Sequence, residues 1–319
     1  MTPTISIALC TCNGARWLAT QLDSILAQTR QPDEIVVRDD ASEDETMEIL
    51  EQYVAKHPHL FRLIKTPGRL GAIENFRQVM LACKGTYLFL ADQDDYWLPG
   101  KIARIMEIFE QNPYYQGLAS DAWLTDDMGK PTGQTLWEQL HFDPDLSFPS
   151  LPYRLLVYSN AFSGATMAFR RDAILHWIQQ PIPYGIYHDY WLAFALSIQN
   201  NLYIESKALI HYRIHPAQKI GLSGHRLEKE AAQWKPAEKC SGIASALHRL
   251  NDWRQAAGFS DGALLAIENL EQTLLRDLDT AKHAYLQERP WPARKWKLLK
   301  HRLRGGEYLR ISWKDVWYL

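Results

Sequence analysis

No run of 18 apolar residues occurs in this 319-residue chain, so no membrane-spanning helix is expected. Cysteine is scarce. Cys10, Cys12, Cys83 and Cys240 are the four. They make no CxxC pair, and Cys10 and Cys12, with one residue between them, lack the usual zinc spacing. That argues against a zinc site and a disulfide framework and for reduced, partly buried thiols in a cytosolic protein. Excess charge is also missing. A net charge of −2 excludes nucleic-acid binding by bulk electrostatics. Residues 1–10 hold no charged stretch leading into an apolar one, so no signal peptide is expected. No internal repeat and no low-complexity segment is present.

What is present is a chain rich enough in apolar residues, 46%, to bury a sizeable core. Apolar runs at 5–10 (ISIALC), 34–38 (EIVVR), 61–65 and 86–91 read as strands. Between them lie helical spacings: Trp17, Leu18, Gln21, Leu22, Ile25 and Leu26, then Met47 to Val54, then residues 73–83. Ser42 and Glu45 have the spacing of a capping box. Strands alternating with helices imply βαβ units and a largely parallel sheet. A helix over 101–111 follows. Residues 112–162 show no usable period. A strand over 163–169 opening on Gly164, a helix over 186–199, and a strand over 209–215 complete the reading.

Polar groups gather where these strands end. The first ends in Thr11 and Asn13, the second in Asp39 and Asp40, and the fourth in Asp92, Asp94 and Asp95. Open α/β sheets bind ligands at this edge. Carboxylates delivered there suit a hard divalent cation, magnesium or manganese, which shares its oxygen ligands with substrate phosphates. Taken singly, each cluster also fits an ordinary polar turn.

The segments SIALCTCNGARWLATQLDSIL (6–26), DEIVVRDDASEDET (33–46), NFRQVML (75–81), FLADQDDYWLPGKI (89–102), SGATMAFRR (163–171), HDYWLA (188–193) and YRIHPAQKIG (212–221) resemble family 2 glycosyltransferases of GT-A fold. They are most similar to the rhamnosyltransferase-type enzymes of bacterial cell-surface polysaccharide assembly. The resemblance covers about the first 220 residues. It implies an α/β GT-A catalytic domain over 1–222 with a mostly parallel sheet flanked by helices; beyond it, residues 223–319 read as a helical extension from their own pattern, with few strand signals. In that frame Thr11, Asn13, Asp39, Asp40, Asn75 and Asp92 would serve the donor nucleotide. Asp94 and His215 would hold Mg2+ or Mn2+. Asp189 would be the catalytic base, and Trp97, Gly164, His188 and Trp191 would belong to the acceptor or sugar pocket. After the YRIH element, relatives often carry Gly and Asn, where this chain has Pro216 and Gln218.

The chemistry implied is transfer of a sugar, from dTDP-rhamnose or a UDP-sugar, to a hydroxyl of a glycan or lipid-linked acceptor. A cation stabilises the departing diphosphate, and one carboxylate accepts the acceptor's proton. One base without a protein nucleophile implies inversion. A glycosidase would need two facing carboxylic acids instead. At a helix N-terminus the dipole favours charged Asp189, and burial beside Tyr190 and Trp191 opposes it. His188 is either a second proton-handling group or a structural neighbour. Tyr96 and Trp97 either line the pocket or pack in the core. Three rivals stand beside this reading. A plain soluble α/β domain with a polar crevice leaves the acids at three strand ends and HDYW (188–191) unexplained. A non-catalytic sugar-binding scaffold leaves Asp92, Asp94, Asp189 and His215 unexplained. A nucleotidyltransferase usually brings a Gly-rich basic first loop, and TCNGARW (11–17) has one glycine and one arginine.

Residues 289–319 hold nine Lys or Arg against Glu307 and Asp315, interleaved with Trp291, Trp296, Trp313 and Trp317. This mixture suits a peripheral contact with the cytoplasmic membrane face, and equally a tail helix packed through its tryptophans.

Overall fold

The computed structural model describes residues 3–65, 68–147, 149–158, 160–183, 186–218, 236–255 and 259–288. The chain forms two compact units: Met1–Leu155 with Ser159–Glu228, and Leu156–Tyr158 with Lys229–Leu319. The expected boundary at 222/223 and the basic, tryptophan-rich segment 289–319 lie outside the described residues.

The first unit is built on one sheet. Its first four strands are β1 (Ile5–Thr11), β2 (Glu34–Asp39), β3 (Phe61–Ile64) and β4 (Tyr87–Ala91). They lie in the order β3-β2-β1-β4 and run parallel. Every residue of β1 and β4 is buried, as continuous apolar runs covered on both faces require. Helices α1 (Ala15–Leu26), α2 (Thr46–Lys56) and α3 (Ala72–Ala82) make the crossovers. α1 buries Trp17, Leu18, Gln21, Leu22 and Ile25, the stripe that its spacing implies.

Beyond β4 the sheet becomes mixed. The remaining strands are β5 (Tyr96–Trp97), β6 (Gly117–Thr125), β7 (Pro131–Thr135), β8 (Met167–Arg170) and β9 (Leu202–Arg213). The order continues β4-β8-β6-β9-β5, with β7 paired to β6. β8 is antiparallel to both β4 and β6. It starts just after the 3-10 turn Gly164–Thr166, at the end of the sheet where β4 finishes, so it must run the other way. The expected strand over 163–169 is thus a turn followed by a shorter strand. β6 and α7 (Arg171–Gln179) fall where no element was expected. Helices α4 (Lys101–Gln111), α5 (Leu136–Gln139), α6 (Ser150–Val157) and α8 (His188–Ser197) complete this part of the chain. α8 buries eight of its residues, the mark of an interior helix.

The expected capping box at Ser42 and Glu45 does not form. Ser42 gives both its N–H and its hydroxyl to Asp39, at 2.7 and 2.5 Å. Asp39 thus takes the N–H that Glu45 would have accepted, and the Ser42 hydroxyl oxygen accepts the Asn13 N–H in place of the Glu45 amide. α2 starts at Thr46 instead, with Asp44 accepting the Thr46 N–H.

In the second unit, α9 (Pro236–Arg254) packs on α10 (Asp261–Glu288). Ile243, Ala246, Leu250 and Trp253 are buried on one, and Ile267, Leu270, Leu274 and Leu278 on the other. Both series have helical spacing. Arg254 pairs with Glu268 and Glu271 across them.

Candidate active site

The ends of β1, β2 and β4 meet at one edge of the sheet. β4 delivers Asp92, Gln93, Asp94 and Asp95 into the turn that follows it. Gln93 pins this turn to the tip of β1. Its Oε1 accepts the Cys12 N–H at 2.7 Å, and its Nε2 donates to the Cys12 carbonyl at 3.0 Å. A Cβ on Gly14 would lie 2.2 Å from that Oε1, so a residue without a side chain is needed there. Asn13, at φ 52°, accepts the Glu43 N–H on its side-chain oxygen and donates its own N–H to Ser42.

His215 comes from beyond β9 to meet Asp94. Its Nε2 lies 2.9 Å from Asp94 Oδ2. The indole of Trp17 covers the imidazole, with ring centroids 3.9 Å apart. Arg213 fixes the approach. Its N–H donates to Asp95 Oδ1 and its Nε to the Asp94 carbonyl. Gln218, one of the departures from the family pattern, braces the turn by donating to the Arg213 carbonyl and accepting the His215 N–H.

Asp189, in the first turn of α8, lines the same cavity. Oδ2 accepts the Gly164 N–H at 3.1 Å and Oδ1 the Tyr190 N–H at 2.6 Å. Those amides favour the charged carboxylate, but burial outweighs them and pushes the group up to about 6. Asp92 is pushed to about 8, chiefly by burial, with Asp94 and Asp189 adding like charge. His188 is buried, and burial alone pushes it down to about 3. It is a neutral imidazole at physiological pH.

These groups surround one cavity of about 610 Å³, a ligand-sized volume. Thr11, Asn13, Asp40, Asn75, Asp92 and Asp94 line it. So do Gly164, His188, Asp189 and His215. Two of them also serve a buried network. Asp40 accepts the Leu70 and Gly71 N–H groups and Arg38, which donates in turn to Asn75. Three expected residues do not line the cavity. Asp39 spends its carboxylate on Thr11 and Ser42. Trp97 is fully buried, with Lys101 Nζ 3.6 Å from its ring centroid. Trp191 is buried edge-on to Trp177. Both tryptophans are core residues, since α8 is apolar all round and β5 is tucked against β9.

Sequence reasoning missed Gln93, Trp17 and Arg69 on the cavity wall. Gln93 was legible as the one non-acid among the four residues from Asp92 to Asp95. Trp17 reads as helix core because its ring does both jobs. Arg69 carries no pattern. It donates to the Asp40 and Ala41 carbonyls.

The family model described as glycosyl transferase family 2 matches residues 6–174. An uncharacterized glycosyltransferase of Nostoc sp. is 25% identical over 91% of this chain and 85% of its own length. An uncharacterized protein of Mycobacterium bovis is 36% identical over 34% of this chain and 32% of its own. Among solved structures, S. aureus TarS with UDP-GlcNAc aligns over 86% of this chain and 72% of that one, at a TM-score of 0.56 and 14% identity. The Pyrobaculum calidifontis mannosyltransferase with GDP-Man and Mn2+ aligns over 97% and 82%, at a TM-score of 0.52 and 16% identity. These likenesses establish the GT-A fold.

Proposed function

The chain belongs to glycosyl transferase family 2, and from that premise we propose that it moves a sugar from a nucleoside-diphosphate donor to an acceptor hydroxyl with inversion. The observation that carries this reading is the meeting of Asp189 with Asp92, Asp94 and His215 around one cavity. The donor class is supported by the UDP-GlcNAc and GDP-Man complexes of the two structural neighbours. The resemblance to rhamnosyltransferase-type enzymes favours dTDP-rhamnose or a UDP-sugar, and a glycan or lipid-linked acceptor of cell-surface polysaccharide synthesis.

Asp189 accepts the acceptor's proton as its oxygen bonds to the anomeric carbon. The bond from that carbon to the diphosphate oxygen breaks, and the diphosphate leaves. A carboxylate raised to about 6 is ionised at neutral pH and a stronger base than an ordinary aspartate. Gly164 and Tyr190 hold it in place through their N–H groups.

Asp94 and His215 are the residues that would hold a divalent cation. Among the described residues no group of three His, Cys, Asp or Glu is set to hold an ion. Two protein ligands still suit Mg2+ or Mn2+, which keep water and substrate phosphates in their shell. The crowding that pushes Asp92 up also asks for a counter-cation. When bound, the cation supplies charge stabilisation for the leaving diphosphate. The mannosyltransferase neighbour was crystallised with Mn2+.

Screening UDP-, GDP- and dTDP-sugars for hydrolysis, with and without Mn2+, tests the reading. One or a few donors should release nucleotide only with metal. Release from none of them would sink it.

A further inference from the structure

His188 opens α8 immediately before Asp189. Its ring stacks on Phe76 of α3, with centroids 4.1 Å apart and planes 23° apart. The side chain is 5% exposed, and neither Nδ1 nor Nε2 has a hydrogen-bonding partner. Buried polar atoms are nearly always paired, and leaving two unpaired is costly. A phenylalanine would stack on Phe76 without that penalty. Packing therefore does not explain histidine at this position.

The ring reaches the cavity wall. His188 and Gly164 both line the cavity. A Cβ on Gly164 would lie 3.0 Å from His188 Nε2 and 3.7 Å from Asp189 Cβ. Only a residue without a side chain can pack this closely on Nε2. A neutral imidazole offers one N–H donor and one lone pair. It brings no charge, so it has no advantage on a diphosphate. A hydroxyl, which both donates and accepts, is its natural partner.

Its neighbours say which hydroxyl. Ala72, Asn75 and Phe76 of α3 share this part of the wall, with Asp40 and Arg69 next to them. That is the end expected to hold the nucleotide. Asp189, whose carboxylate must sit beside the reacting sugar, follows His188 directly in α8. A group that stacks on Phe76 of α3 and adjoins the base faces the sugar in transit.

We propose that His188 hydrogen-bonds a hydroxyl of the transferred sugar and thereby selects donors by the position or configuration of that hydroxyl. The proposal rests on the sugar-transfer reading above. The donor singled out by the hydrolysis screen, its bare nucleoside diphosphate and its monodeoxy analogues are the probes. Calorimetry with Mn2+ compares wild type with His188→Phe, which keeps the stack, and His188→Gln, which keeps a donor and an acceptor. In His188→Phe the preference for sugar nucleotide over bare diphosphate should fall about tenfold, the usual weight of one buried hydrogen bond. Affinity for the bare diphosphate should stay within about twofold of wild type on the same scale. His188→Gln should recover part of the preference. Wild type should lose about tenfold on one monodeoxy donor, and His188→Phe should be indifferent to that position. Equal losses on diphosphate and sugar nucleotide would make His188 structural and overturn the proposal. So would a His188→Phe protein that ranks the deoxy donors as wild type does. If no nucleotide sugar is hydrolysed or bound by wild type, the sugar-transfer reading itself fails and takes this proposal with it.

Discussion

Asp189 sits in a conflict between two amide donors and partial burial, and burial prevails. That outcome has a kinetic and a thermodynamic consequence. As the general base it should carry roughly 10²–10⁴-fold of turnover, so Asp189→Asn should lose that much while binding of the nucleoside diphosphate in calorimetry stays nearly intact. Near-normal turnover would remove it from the role. In wild type the acid limb of the kcat/KM profile should fall near pH 6, because the free enzyme's base titrates at about 6. The same shift fixes the sign of a stability effect. The folded-state value of about 6 lies above the ordinary 3.8, so the folded protein binds this proton more tightly than the unfolded chain. Stability from this group is present below about pH 4 and is lost as pH rises through about 6. Asp189→Asn has no such charge to bury. Its Tm should match wild type near pH 4 and exceed it at pH 8, measured by thermal melts across that range. A residue whose removal costs turnover and raises stability at neutral pH has the signature of function held against folding.

At the level of elements, the acidic turn after β4 works only because it is clamped to the tip of β1. Gln93 makes both bonds of that clamp, and Gly14 makes room for it. Gln93→Ala should cost about 1–3 kcal/mol, since it removes both half-buried hydrogen bonds to the Cys12 backbone, and should weaken nucleotide binding. Gly14→Ala should do the same by pushing the amide away. If the two act through one contact, the double variant is no worse than the worse single one; denaturant titration of all four proteins measures this, and full additivity would refute the clamp. The strands and helices around this turn were legible in the sequence because each has one period. Continuous apolar runs gave β1, β2 and β4, and the stripe from Trp17 to Ile25 gave α1. β6 was not legible. It is buried along nearly its whole length yet reads GLASDAWLT, with Ser120 donating to the Thr166 carbonyl and Asp121 accepting the Trp137 N–H, partners that only tertiary structure supplies. The Ser42 capping box failed for a similar reason. Local spacing was right, but the Asn13 N–H at the tip of β1 took the hydroxyl oxygen that the cap needs.

Across the whole molecule, acids far apart in sequence converge because three parallel strands end at the same edge and β9 returns His215 to it. That convergence was legible as polar strand tips. The division of labour at the tips was not, since Asp39 and Asp40 are alike in sequence and differ only in what surrounds them. Charge is distributed just as unevenly. Nine Lys or Arg and four Trp lie in residues 289–319, in a chain whose net charge is −2. The remainder is therefore acidic. Among the described residues no helix is long and apolar enough to cross a membrane. Cations at an anionic surface contribute about 1 kcal/mol each, and tryptophan prefers the headgroup level. An acidic body would be repelled by the same surface, which leaves one orientation. The full chain should co-sediment with vesicles containing phosphatidylglycerol at low salt, fail to do so with neutral phosphatidylcholine vesicles, and be released as ionic strength rises and screening sets in. Replacing Arg294, Lys295, Lys297 and Lys300 by Gln should abolish sedimentation without changing donor hydrolysis. Binding that survives those four substitutions would place the contact elsewhere, and no binding at low salt would leave the tryptophans to intramolecular packing.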